Sequence, residues 1–140
     1  RWMQLHRNPG WSYHGKGLAS FEQIIDQRNR VIASHPGTTF IVAHMAEGAN
    51  DYAALGKWLD AHPNMHIDLS ARENEYGRQP FASRKFFVKY ADRILFGTDS
   101  PLYSTACQKV RIETADLTHA EKHAILFKNA RKLLGEAPKD

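Results

Sequence analysis

Three short apolar runs, each broken by turn residues and followed by a helical pattern, set the tightest limit on how this chain folds. They are Thr39-Phe40-Ile41-Val42-Ala43-His44, Met65-His66-Ile67-Asp68-Leu69-Ser70 and Arg93-Ile94-Leu95-Phe96-Gly97-Thr98-Asp99. Their starts lie about 27 residues apart, close to the ~30-residue period of a strand-helix-strand unit. Phe40 to Ala43 and Ile94 to Phe96 are continuously apolar, the pattern of strands covered on both faces in a parallel sheet, while the middle run alternates.

Helical patterns fill the gaps. Ser20 and Gln23 make a capping box ahead of Phe21, Ile24, Ile25, Val31 and Ile32, which fall on one helical stripe that Pro36 ends. Asn50 is placed to cap a helix carrying Tyr52, Leu55, Trp58 and Leu59, stopped by Pro63. Pro80 suits the first turn of a third helix with Phe81, Phe87 and Tyr90 turned inward. Thr118 and Glu121 form a second capping box, followed by Ala124, Ile125, Leu133 and Leu134 and a stop at Gly135. The order helix, strand, helix, strand, helix, strand, loop, helix predicts parallel α/β packing.

Composition removes several function classes. The chain has 140 residues, of which 42% are hydrophobic and 11% aromatic, enough to bury a core. The net charge of +4 is spread without a run of five like charges, so no nucleic-acid partner is expected. Its most basic stretch, Arg84-Lys85-Phe86-Phe87-Val88-Lys89, has the pattern of an amphipathic helix with a solvated face. Cys107 is alone, which excludes an internal disulfide or a cysteine-rich metal site. No apolar stretch approaches the ~20 residues that span a bilayer, and the expectation is a soluble, cytoplasmic protein without membrane or leader.

In parallel α/β folds, functional side chains collect at the carboxyl ends of the strands, because every crossover returns the chain to the same side. Here those ends carry His44, then Ser70 with Arg72 nearby, then Asp99. Each also has a plain structural role open to it. His44 fits a hydrogen-bonded edge residue, Asp99 a cap on the turn through Ser100-Pro101, and Arg72 an ion pair with Glu73 or Glu75. His35 and His62 precede prolines and read as helix-end residues, and His66 lies inside a strand. His119 and His123 share a helix face at i, i+4 but lack a third ligand. Gly15-Lys16-Gly17 does not have the spacing of a phosphate loop.

The segments "HPGTTFIVAHM", "PNMHIDLSAR", "RILFGTDSP" and "EKHAILFKNARKLLG" resemble, in order and spacing, the carboxyl-terminal half of the amidohydrolase-related family, in its branch of decarboxylases and hydrolases like aminocarboxymuconate-semialdehyde decarboxylase. The resemblance implies that residues 1–140 form a single α/β domain equivalent to about strands six to eight of a (β/α)₈ barrel. It also implies a divalent metal, most often zinc, at the barrel mouth. By position, His44 matches the acid/base histidine that ends the sixth strand, and Asp99 the metal-binding aspartate that ends the eighth, with Gly97 giving a tight backbone turn beside it. Arg72, Glu75 and Arg78 in "ARENEYGRQP" would line the mouth and meet a small anionic substrate.

The implied activity is metal-dependent hydrolysis of a small carboxylate, lactone or amide, with non-oxidative decarboxylation as the alternative. A complete barrel needs about 250 residues and eight strands. The first-strand H-x-H is absent, and His6 and His14 end no apolar run. The ligand set is therefore expected to be incomplete in this chain, and the site to need the amino-terminal barrel half or a partner chain. A three-stranded piece should expose sheet edges and core surface on both sides of the break and form a homo-oligomer. In a further alternative, it is a truncated, non-catalytic domain that associates through that surface.

Overall fold

In the computed structural model, residues 9–12 and 16–136 are described; His6 and His14 lie outside them. Helix α1 (Phe21–Ser34) starts at the expected capping box, with Ser20 Oγ accepting from the Gln23 amide at 3.2 Å and Gln23 Oε1 accepting from the Ser20 amide at 2.7 Å. Strand β1 (Phe40–Val42) follows, then α2 (Tyr52–Ala61), β2 (Met65–Asp68), α3 (Glu73–Arg78), α4 (Pro80–Lys89) and β3 (Ile94–Leu95). Three further helices close the described chain: α5 (Thr105–Glu113), then α6 (His119–His123), which runs through a wider π turn (Ala124–Lys128) into α7 (Asn129–Leu133). The second capping box and the Gly135 stop, at φ +72°, are as the sequence predicts.

The three strands form one parallel sheet in the order β1-β2-β3, with Phe40 opposite Met65, Val42 opposite Ile67, and Asp68 opposite Leu95. The sheet is α/β and parallel, as the spacing of the apolar runs requires. Its central strand is the most enclosed, with Met65 and Ile67 fully buried. Ile94, Leu55, Leu59, Ile112 and Ile125 pack around them.

Several local expectations need correction. The strands are shorter than the apolar runs, because pairing stops before extension does: Ala43 is still extended beyond β1, and past β3 the Phe96 amide turns to Ile125 O in place of a strand. Strand β1 is not covered on both faces: Ile41 is 53% exposed, since no further strand lies beyond it among the described residues. For the same reason only Ile25 and Ile32 of the α1 stripe are buried, while Phe21, Ile24 and Val31 are exposed. Asp51, not Asn50, caps α2, its side chain accepting from the Ala54 amide at 2.9 Å. Phe81 and Leu134 point outward. The segment read as a loop before the last helix contains α5, capped by Ser104.

The two sheet edges also differ, against the expectation that both lie open. At β3 the outward Phe96 amide donates to Ile125 O at 3.0 Å, and Asn129 Nδ2 donates to Ile94 O at 2.7 Å. The carboxyl-terminal helices thus cover that edge. The β1 edge has no such cover among the described residues.

Candidate active site at the carboxyl ends of the strands

All three strands end in residues with left-handed backbone. His44, Met45, Ala46 and Glu47 follow β1 with φ of 58°, 51°, 52° and 60°; Ala71 lies beyond β2 at 55°, and Asp99 beyond β3 at 57°. Left-handed helical geometry costs ~1–2 kcal/mol per residue for L-amino acids. Four in succession form a turn that persists only because its surroundings hold it.

Those surroundings are specific. The His44 amide donates to Asp68 Oδ1 at 2.9 Å and the Gly48 amide to Met45 O at 2.9 Å. Arg28, reaching from α1 and stacked 4.6 Å over the Trp58 ring, donates to Ala46 O at 2.7 Å. Burial pushes the Arg28 guanidinium down from its usual range, with Glu47 acting the other way. Arg72 donates to His44 O at 3.2 Å and to Glu47 at 2.6 Å. Met45, at the centre of the turn, is fully buried in the core.

The hydrogen bonds around His44 fix its chemistry. Its Nδ1 lies 3.0 Å from the Ser70 carbonyl oxygen and 3.0 Å from Ser70 Oγ. A carbonyl only accepts, so Nδ1 carries the proton. Ser70 Oγ spends its own proton on Asp68 Oδ1, which also accepts from the Ser70 amide at 3.0 Å. Nε2 is therefore the basic nitrogen, and it has no partner among the described residues. The carboxylate of half-buried Asp99 likewise has none; only its backbone carbonyl is engaged, by the Leu102 amide at 3.0 Å, which closes the turn through Ser100-Pro101.

All five residues singled out in the sequence come to one place. His44, Arg72, Glu75, Arg78 and Asp99 line a polar depression of about 510 Å³, together with Glu47, Asn74 and Tyr103. Arg72 makes the ion pair expected of a loop arginine, with Glu75 at 3.4 Å and more closely with Glu47. Arg78 has no ion pair among the described residues. Gly97 has a different role from the one expected. Its backbone is not left-handed; a Cβ there would sit 3.1 Å from Asp68 Cγ, so glycine makes room for the carboxylate that anchors His44.

Sequence reasoning missed Asp68, Glu47 and Tyr103. Asp68 is the last residue of β2, so the same strand-end rule would have found it. Nothing in the sequence marks Tyr103. No group of three His, Cys, Asp or Glu gathers among the described residues, so these side chains alone do not complete a cation site. No described helix is long and apolar enough to cross a membrane.

The family model described as Amidohydrolase matches residues 12–135 of the chain. Solved structures share the fold. One is a 2,6-dihydroxybenzoate decarboxylase from Rhizobium, 20% identical over 91% of this chain and 48% of that one, with TM-score 0.61. Another is a dihydroxybenzoic acid decarboxylase from Polaromonas sp. JS666 with bound manganese and the inhibitor 2-nitroresorcinol, 18% identical over 96% and 47%, with TM-score 0.61. A third is an amidohydrolase from Burkholderia multivorans with bound zinc, 18% identical over 86% and 52%, with TM-score 0.54. The chain spans about half the length of these structures. No curated sequence matches it.

Proposed function

Because this chain belongs to the amidohydrolase family, we propose that it supplies strands six to eight of a (β/α)₈ barrel, with residues 1–140 as one α/β domain, and that it acts on a small carboxylate at the barrel mouth. The observation that carries this reading is the pairing, in one depression, of an imidazole nitrogen and a carboxylate that both lack protein partners. Such groups are costly to position and leave unused unless something else binds them.

In a completed barrel, Asp99 would be one of the residues holding a divalent cation, zinc or manganese, with further ligands from outside the described residues, and the cation would supply Lewis acidity. The rest follows from this chain's residues. Arg78 pairs with the substrate carboxylate, while Glu75 and Glu47 hold Arg72 in line with the rim. His44, oriented by Ser70 and Asp68, moves a proton at Nε2.

Two reactions use that arrangement. In decarboxylation, the carbon losing carbon dioxide keeps the bonding electron pair and takes a proton, which Nε2 of a protonated His44 delivers. The decarboxylases among the similar structures support this choice. In hydrolysis, His44 instead takes a proton from attacking water, a reading supported by the family description. Measuring carbon dioxide release from dihydroxybenzoates beside hydrolysis of lactones, in the complete barrel, separates the two. Absence of both, with His44→Ala and Asp99→Asn leaving every measured property unchanged, would instead support a non-catalytic, associating domain.

A further inference from the structure

Behind the mouth, in the first half of α5, lies a buried amide. Gln108 is 1% exposed. Ser104 fixes where its helix starts, the hydroxyl accepting from the Cys107 amide at 3.3 Å and the carbonyl from the Gln108 amide at 3.1 Å.

Both partners of the Gln108 side chain are acceptors. Nε2 donates to the Thr98 carbonyl at 3.0 Å and, at 3.5 Å, to the carboxylate of buried Glu73. A carbonyl has no proton to give, so the NH₂ end faces it and Oε1 points away. Oε1 is buried and has no partner among the described residues. An apolar side chain of this length would fill the same space without an orphaned acceptor, so packing alone does not call for an amide here.

What the NH₂ group holds is the peptide next to Asp99. The Thr98 carbonyl belongs to the peptide plane from which the Asp99 φ of 57° is measured. On the other side, the Asp99 carbonyl accepts from the Leu102 amide at 3.0 Å. With both flanking peptides tied, a left-handed backbone that an L-residue otherwise avoids is held in place. The direction of the Asp99 carboxylate, which no other described residue orients, is held with it. The second bond links the same amide to α3, the helix that carries Glu75 and Arg78 to the same depression.

We propose that Gln108 is a positioning residue of the mouth: its buried amide locks the Thr98–Asp99 peptide to α3 and so aims the Asp99 carboxylate into the depression. The inference rests on the reading of that depression as an active site, and adds to it the residue that sets its geometry.

The test uses the complete barrel with two variants: Gln108→Met, which fills the space without a donor, and Gln108→Asn, which keeps an amide but is one methylene too short to reach. Manganese affinity is read by equilibrium dialysis, and the turn by hydrogen exchange at the Leu102 amide. Both variants should bind manganese about tenfold more weakly. Leu102 should exchange about tenfold faster, while the Ile67 amide, bonded to Arg93 O in the sheet, keeps its wild-type rate. Ile112→Val, which trims a buried side chain on the same helix, should lower the urea midpoint and change neither readout. Unchanged manganese affinity or unchanged Leu102 exchange in both Gln108 variants would overturn the inference, as would equal acceleration at Ile67 and Leu102, which would make Gln108 a general packing residue. Wild-type protein that binds no manganese, or Asp99→Asn that retains it, would instead overturn the active-site reading, and this inference with it.

Discussion

The two ends of the sheet treat polar side chains in opposite ways. At the amino ends, the side chains of Asn64, Arg93 and Asn129 are consumed by backbone carbonyls. Asn64 Nδ2 lies within 3.2 Å of Ile32 O, 3.0 Å of His35 O and 2.9 Å of Thr38 O. Arg93 donates to His62 O at 2.7 Å and to Met65 O, and Asn129 Nδ2 to Ala91 O and Ile94 O, each at 2.7 Å. At the carboxyl ends the backbone is left-handed, and the imidazole Nε2 of His44, the Asp99 carboxylate and Arg78 have no partners among the described residues. One end spends its polar groups on stability; the other keeps them available, supported by groups such as Asp68 and Arg28 that hold the backbone rather than face a ligand. The same division separates the stabilising and reactive faces of α/β barrels in general.

The sharpest way to break this contrast is to exchange its consequences. In the complete barrel, His44→Ala or Asp99→Asn should lower turnover by about 10²–10⁴-fold, while urea unfolding midpoints stay close to wild type. A large loss of stability from either change would mean that the carboxyl ends are structural too. At the other end, Asn129→Leu should destabilise by about 2–4 kcal/mol, because it leaves the buried Ile94 carbonyl and the partly buried Ala91 carbonyl without their donor. Turnover per folded molecule should be unaffected.

Much of this was legible in the sequence, for a simple physical reason. A two-residue alternation or a continuous apolar run fixes a strand, and parallel connection fixes which end of it gathers function, so His44 and Asp99 could be placed from spacing alone. The edges were not legible. Whether Phe21, Ile24 and Val31 are covered depends on what lies beyond β1, which local periodicity does not encode. The supports of the site were equally hidden. Asp68 anchors His44 across a gap of 24 residues, and the left-handed turn at His44–Glu47 involves no glycine that would have marked it.

Asp68 offers a finer test, because it touches both sides of the contrast: it ends a strand yet acts only through other residues. Asp68→Asn should reduce turnover by about tenfold, since the Ser70 hydroxyl and His44 amide lose their charged acceptor. Unchanged turnover would reduce Asp68 to a packing role.

The smallest effect concerns His66, whose Nδ1 is buried without a partner. Burial, then the Arg93 charge, holds this imidazole below its usual value of 6.5, with Asp92 opposing and Lys132 adding to the depression. The unfolded chain therefore takes up the proton first as pH falls. Stability is fully present above about pH 6.5 and declines below it until the lower folded value is passed. Urea midpoints compared at pH 7 and pH 5 should show that decline in the wild type and a smaller one in His66→Leu.

The central claim is that the carboxyl rim of these strands is one wall of a metal-dependent site. Divalent-cation content, measured by equilibrium dialysis of the complete barrel against manganese, tests it most directly. One ion per chain is predicted for the wild type and for Asp26→Asn, which changes only a remote ion pair with Arg30; Asp99→Asn should lose the ion. Full retention of manganese by Asp99→Asn would contradict the claim.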